Sequence, residues 1–335
     1  MLKEITNLAE NLNIKVIKKK ISKIRRISPS TLIGKGLLEQ MLIDIKLSKI
    51  NLLICNCILT PAQQKNLENF LKIKVTDRTG IILEIFAKRA ASNEGKLQVE
   101  LAELIYRKSR LVRAWTHLER QRGGTTFIGG PGELQIELDR RLIQNKIINI
   151  KKRLKKVRKR RSQQRKSRTK NNFKTFALVG YTNAGKTLLF NKLTKNSQTS
   201  RNRLFETLDT KISKVFLEKN INAGLIDTVG FINNIPTQLI ESFKATLEEI
   251  HTADYLINIV DINDKNSREK IETTKKILRD TGIEEQKISE MLTVFNKIDI
   301  RNVSSTSFQD KKYVSALTGT GITELKRSML NLYNL

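Results

Sequence analysis

The chain has 335 residues, 39% of them hydrophobic, with 63 Lys and Arg against 33 Asp and Glu, which argues against a disordered tail and leaves room for two or three domains with cores of their own. A formal charge of +30 calls for a polyanionic partner, although a sequence so heavy in Lys, Asn and Ile owes part of that excess to composition. No apolar run reaches the roughly 18–20 residues that cross a bilayer, and Met1 to Glu10 shows neither a signal peptide's apolar stretch nor a transit peptide's Arg/Ser bias, so the expectation is a cytoplasmic (bacterial, stromal or matrix) protein with no membrane partner.

Along residues 1–92, strand-like runs (Ile14 to Ile17, Leu52 to Ile54, Ile73 to Val75) alternate with helical stretches (Leu37 to Leu47, Pro61 to Leu71), the pattern of a small α/β domain with a mainly parallel sheet. Cys55 and Cys57 read there as core filler in a reducing compartment. From about Glu94 the period changes. Leu97, Leu101, Leu104, Leu111, Trp115 and Leu118 keep heptad spacing with Lys108 as the polar occupant, and Ile136, Ile143, Ile147, Ile150, Leu154 and Val157 keep it again with Arg140 as the exception. Residues 93–170 therefore predict a long antiparallel helical hairpin. Its glycine-rich turn, Gly123 to Gly132 with Phe127 and Ile128, fits two readings: ordinary punctuation, or a contact tip held on rigid helices. No carboxylate lies between Asp139 and Glu206, while Lys and Arg crowd Lys151 to Lys170, and so long an uncompensated run points to nucleic acid.

Residues 171–335 read as a doubly wound α/β domain with strands at Phe173 to Val179, Lys211 to Leu217, Ala223 to Asp227, Tyr255 to Asp261, Leu292 to Asn296 and Tyr313 to Ser315. Between the first strand and the next helix stands Gly180-Tyr181-Thr182-Asn183-Ala184-Gly185-Lys186-Thr187, a P-loop in the context that confirms it. Its backbone N–H groups would cradle phosphates, Lys186 would reach the β- and γ-phosphates, and the Thr187 hydroxyl would ligate Mg²⁺. Asp227-Thr228-Val229-Gly230 follows a later strand, with the carboxylate placed for Mg²⁺ through water and the Gly230 N–H for the γ-phosphate. Asn296-Lys297-Ile298-Asp299 reads the base: a carboxylate accepts from guanine N1–H and N2–H₂, which adenine cannot offer, a preference of roughly a hundredfold. Asn296 would brace the loops, the Lys297 stem would cover the base, and Ser315-Ala316-Leu317 would turn a backbone N–H toward guanine O6. These motifs together predict a GTPase.

A further hydroxyl must complete the metal site. Thr207 is preferred to Thr210, although spacing alone does not decide. Phe231 stands where many GTPases carry a water-orienting Gln, so intrinsic hydrolysis should be slow, by roughly a thousandfold or more beside a partner-activated site. Asn183 is either a turn former or a ligand to a K⁺ ion beside the phosphates.

Outside the nucleotide motifs, Asp77-Arg78-Thr79-Gly80-Ile81-Ile82-Leu83-Glu84-Ile85-Phe86, Glu94-Gly95-Lys96-Leu97-Gln98-Val99-Glu100-Leu101-Ala102, Gly129-Gly130-Pro131-Gly132-Glu133 and Glu137-Leu138-Asp139-Arg140-Arg141 carry a specific resemblance. With Leu204-Phe205, Thr207-Leu208-Asp209 and Asp227 to Ile232, the chain resembles the HflX family of ribosome-associated GTPases. The resemblance implies an N-terminal α/β domain with a helical hairpin, a hydrophobic residue in place of the catalytic Gln, and binding to the large ribosomal subunit and its rRNA. It also implies a hairpin loop that reaches functional RNA and the splitting of stalled or idle ribosomes; an assembly module that binds RNA without splitting is the alternative. Neither a DNA partner nor a free oligomer is expected. Thr187 followed by Leu188 departs from the family's usual Ser-Thr without losing the metal-ligating hydroxyl, and Leu134 replaces a usual Thr.

Overall fold

The structure is a computed structural model that describes residues 2–24, 27–115, 131–170, 173–195, 205, 207–208, 210–232, 244–300 and 312–334. The hairpin loop, with Phe127 and Ile128, lies outside the described residues. Two compact units divide the chain: residues 1–88 with 97–154, and residues 89–96 with 155–335.

In the first unit, helix α1 (Leu2–Asn11) precedes α2 (Lys35–Leu47), β1 (Leu52–Cys55), α3 (Pro61–Leu71), β2 (Lys74–Asp77) and α4 (Arg78–Arg89). β1 and β2 pair in parallel, Leu52 opposite Lys74 through Cys55 opposite Asp77. α3 begins where a capping box and a proline say it should, since Thr60 accepts from Gln63 N–H, Gln63 accepts from Thr60 N–H, and Pro61 fills the first position. The core here is Leu38, Ile45, Leu59, Leu67, Leu71 and Val75, with Cys55 and Cys57 packed at its edge. Ile14 to Ile17 is not a strand. Asn13 turns left-handed at φ +62 and Ile14 N–H donates back to the Ala9 carbonyl at 3.1 Å, so the segment closes α1 instead of joining a ladder.

The hub of this unit is Asp77, fully buried. It caps α4 by accepting from Gly80 N–H (2.9 Å), accepts from Tyr106 Oη (2.9 Å), and ion-pairs with Arg110 (2.7 Å). Arg110 also bonds Gln64 and Tyr106. The Asp-Arg-Thr-Gly segment is thus a helix start that anchors α5 (Asn93–Trp115), and beside it Arg78 pairs with Glu4 at 2.7 Å. Leu97, Leu101 and Leu104 of α5 share a buried cluster with Ile147, Ile150 and Leu154 of α6 (Pro131–Lys170), and since Lys108 meets Gln144 while Glu94 meets Arg161, the two helices run antiparallel. Lys108, the polar occupant of the seam, donates to Gln144 across it at 2.6 Å.

The second unit is a six-stranded sheet in the order β4-β5-β3-β6-β7-β8, formed by β3 (Thr175–Val179), β4 (Lys211–Glu218), β5 (Ile221–Asp227), β6 (Tyr255–Asp261), β7 (Leu292–Asn296) and β8 (Lys312–Tyr313). Pairings are parallel except β4 with β5. Helices α7 (Lys186–Thr194), α8 (Lys244–Thr252), α9 (Ser267–Asp280), α10 (Glu285–Ser289) and α11 (Ile322–Tyr333) complete the unit. β3 is buried on both sides: Phe176 and Leu178 enter one cluster with Leu225 and Ile257, while Ala177 and Val179 enter the other with Ile226 and Leu256. Because β5 and β6 flank β3 on opposite sides, the order reverses at the carboxyl end of β3, where a crevice opens.

Candidate active site

The loop leaving β3 needs glycine at two points. Gly180 has φ +133, and a Cβ there would stand 2.4 Å from the Ile259 carbonyl; Gly185 has φ +90, and its Cβ would stand 2.3 Å from Asn296 Nδ2. Asn183 between them is left-handed at φ +63, a conformation Asn tolerates, and it is exposed at the rim. Lys186 folds back under the loop, donating to the carbonyls of Gly180 (3.0 Å) and Tyr181 (2.8 Å). Its burial pushes the ammonium down to about 8, against the pull of Asp227.

Thr187, Thr207 and Asp227 form a chain of hydrogen bonds. Thr207 Oγ1 donates to Asp227 Oδ2 at 2.7 Å, and the hydroxyls of Thr187 and Thr207 are 2.5 Å apart. Thr207 has spent its one proton on the carboxylate, so Thr187 is the donor in that second bond. Asp227 Oδ1 is buried with no hydrogen-bond partner among the described residues, and burial pushes this carboxyl up while the Thr207 bond opposes it. Two hydroxyls and a carboxylate with an unspent lone pair are a donor set that fits a hard divalent cation. Thr210 is elsewhere, receiving a hydrogen bond from Arg161 Nη1 at 3.2 Å.

Gly230 packs against the P-loop so closely that a Cβ would meet Thr182 Cα at 2.7 Å and Lys186 Nζ at 2.9 Å. The backbone continues as a bridge, Thr182 N–H to the Phe231 carbonyl (2.8 Å) and Phe231 N–H to the Gly180 carbonyl (3.0 Å). Phe231 itself is buried in the cluster with Val179 and Ile226. It is a core side chain and gives water no polar group. Thr228 donates to the Leu178 carbonyl at 2.5 Å, tying the strap to β3.

On the other side of the crevice, Asn296 is buried and joins two loops, donating to the Ala184 carbonyl (2.9 Å) and accepting from Ala316 N–H (3.0 Å). Asp299, on a single 3₁₀ turn (Ile298–Ile300), accepts from Ser315 Oγ at 2.5 Å. Lys297 is left-handed at φ +69 and pairs with Asp261 at 2.9 Å, while Asn263 donates to its carbonyl.

One cavity of about 330 Å³ gathers Thr182, Asn183, Gly185, Lys186, Thr187, Thr207, Thr228, Gly230, Asn296, Lys297, Asp299, Ala316 and Leu317 on its wall. Tyr181 and Ala184 face a smaller neighbouring cavity of about 60 Å³. Gly180, Asp227, Val229 and Ser315 form none of the larger cavity's wall. Phe205, Leu188 and Ile300 line it without having been singled out as site residues; Phe205 at least lies two residues before Thr207, which is the signal that could have found it.

Residues 1–87 match the family model described as GTP-binding GTPase N-terminal, 89–168 that of the GTP-binding GTPase middle region, and 175–297 that of the 50S ribosome-binding GTPase. The GTPase HflX of Magnetococcus marinus is 43% identical, covering 98% of this chain and 78% of that protein; the GTPase HflX of Escherichia coli K12 is 38% identical over the same shares. The crystal structure of SsGBP in complex with GDP is 27% identical with a TM-score of 0.52, covering 99% of this chain and 95% of that one. With a P-loop GTPase fold and that identity along nearly its whole length, the chain belongs to the HflX family of GTPases.

Proposed function

We propose that this GTPase is a ribosome-directed switch that binds the large subunit through rRNA and splits stalled or idle ribosomes. The observation that carries the reading is the basic surface of α6. Lys151, Lys152, Arg153, Lys155, Lys156, Lys159 and Arg160 are all exposed, and the sequence between Asp139 and Glu206 carries no carboxylate. Such a face meets a phosphate backbone and releases counterions. The match of residues 175–297 to a 50S ribosome-binding family supports the choice of partner. Three working parts fit this division of labour, residues 1–92, 93–170 and 171–335, and the family-model boundaries support them. The described residues hold no helix long and apolar enough to cross a membrane.

In the nucleotide site, the P-loop N–H groups from Asn183 to Thr187 bind the phosphates and Lys186 directs its ammonium to the β- and γ-oxygens. Mg²⁺, held by Thr187, Thr207 and, through water, Asp227, would neutralise charge on the transferring phosphoryl group. Gly230 N–H senses the γ-phosphate, Asp299 selects guanine, Asn296 braces the P-loop against the Ser315 to Leu317 loop, and the Lys297 stem covers the base. Phe231, committed to the core, cannot orient water, so turnover waits for a group from the ribosome or for a K⁺ ion held beside Asn183.

Co-sedimentation with large subunits tests the switch: binding should be strongest with a non-hydrolysable GTP analogue, weaker with GDP, and fall steeply with salt. Identical pelleting in every nucleotide state overturns it. Light scattering of intact ribosomes separates splitting, which lowers the signal, from an RNA-binding assembly module, which leaves it unchanged while the protein remains bound.

A further inference from the structure

Among the described cations of α6 from Lys151 to Arg161, seven face solvent and one does not. The Arg161 side chain is 23% exposed and reaches three elements. Nη2 lies 2.8 Å from Glu94 Oε2 at the foot of α5, Nη1 lies 3.8 Å from Glu249 Oε1 on α8, and Nη1 donates to Thr210 Oγ1 at 3.2 Å. All four residues belong to one compact unit.

Two nearly buried carboxylates, with Glu249 at 2% and Glu94 at 11% exposure, would by themselves draw in a guanidinium. They do not account for the third contact. Thr210 is three residues beyond Thr207, and each has its own partners: Thr207 stands against Thr187 and Asp227, Thr210 against Arg161. Glu249 stands on the first described helix after the Asp227 to Gly230 strap. A planar fork can serve both segments at once, as a single ammonium cannot.

We infer that Arg161 is a positioning residue for the metal and GTP site: by holding Thr210 it keeps Thr207 against Thr187 and Asp227, and it links that stretch to the basic helix. The inference rests on the reading that Thr207 ligates Mg²⁺ when GTP is bound. Release of Thr207 then leaves Arg161 as the point at which α6 registers the nucleotide state.

The test compares wild type, Arg161→Met, Arg161→Lys, Thr210→Val and Thr207→Ala of the full chain by fluorescence titration with labelled non-hydrolysable GTP analogue and labelled GDP across a Mg²⁺ series. Arg161→Met and Thr210→Val should each weaken the analogue about three- to tenfold, the size of one lost charge-assisted hydrogen bond acting through a neighbour, and raise the Mg²⁺ needed for it. GDP affinity should stay within about twofold, and Arg161→Lys should recover part of the loss. Thr210→Val leaves both carboxylate pairs in place and carries the test if Arg161→Met melts early. Thr207→Ala separates the two layers. If it lowers analogue affinity while Arg161→Met and Thr210→Val do not, Arg161 is an ion-pair strut and the inference is wrong. Equal losses for GDP and analogue also overturn it. An unchanged Thr207→Ala removes the metal-ligand reading and the inference with it.

Discussion

Asp299→Asn should convert the preference of this site from guanine to xanthine while leaving the fold alone. Asp299 accepts from Ser315 Oγ through Oδ1 at 2.5 Å, and an amide oxygen can accept the same bond, so the turn at Ile298–Ile300 keeps its anchor. The other carboxylate oxygen becomes an NH₂ group that faces the N2–H₂ donors of guanine, while the amide oxygen meets N1–H with its second lone pair but without the negative charge. Two charge-assisted bonds are lost, each worth about 1.5–3 kcal/mol. Taking the lower value twice, because Asp299 is exposed in the free protein, gives about 3 kcal/mol, or roughly a hundredfold in Kd. Xanthine carries a carbonyl where guanine has its amino group, so XTP should gain what GTP loses. Titration calorimetry with both nucleotides, alongside a thermal melt, measures this. GTP binding within tenfold of wild type, or equal loss of GTP and XTP with an unchanged melt, would refute the assignment of Asp299 to the base.

Gly180→Ala should destabilise the GTPase unit by about 3 kcal/mol or more, because φ +133 is strained for any L side chain and the new Cβ meets a backbone carbonyl at 2.4 Å; Gly36→Ala, with nothing within 4 Å, should stabilise α2 by about 0.5–1 kcal/mol in the same denaturant titration. Lys186 sits near 8 in the free protein, and a bound phosphate raises it, so nucleotide binding should take up protons between that pH and the ordinary lysine value, and affinity should fall as pH rises through 8 to 9. Calorimetry in buffers of differing ionisation heat reads the uptake, which Lys186→Arg should abolish. Asp77→Ala strands Arg110, Tyr106 and two backbone N–H groups in the first unit, a loss of roughly 3–5 kcal/mol visible as an early unfolding transition; a wild-type melt would contradict the hub described for Asp77.

The parts of this molecule legible in the sequence are those whose function is local. A P-loop must be a strand, a glycine turn and a helix start within one short stretch, and the guanine-reading turn is equally compact. β3 declares itself as a continuous apolar run, and β6 as one interrupted only by Asn258 before its final Asp261. Where long-range partners decide, the residues gave no hint. Ile14 to Ile17 reads like a strand, yet it joins no ladder among the described residues and its first N–H closes α1. Thr207 and Thr210 are the same residue type three positions apart, and only tertiary contact sends one to Asp227 and the other to Arg161. Arg161 hides among similar cations until its carboxylates are seen. The Asp-Arg-Thr-Gly segment was recognisable as a family mark, but its physical meaning as a buried cap that grips α5 required the fold.

The bond between Lys108 and Gln144 has a mechanical consequence for the arm formed by α5 and α6. An all-leucine seam would tolerate sliding, since any heptad step restores similar contacts. One polar pair set into that seam acts as a key in a keyway: a slip of a single helical turn, about 5.4 Å, breaks the bond between two half-buried groups. The pair therefore sets the register of α5 on α6 where the described helices meet.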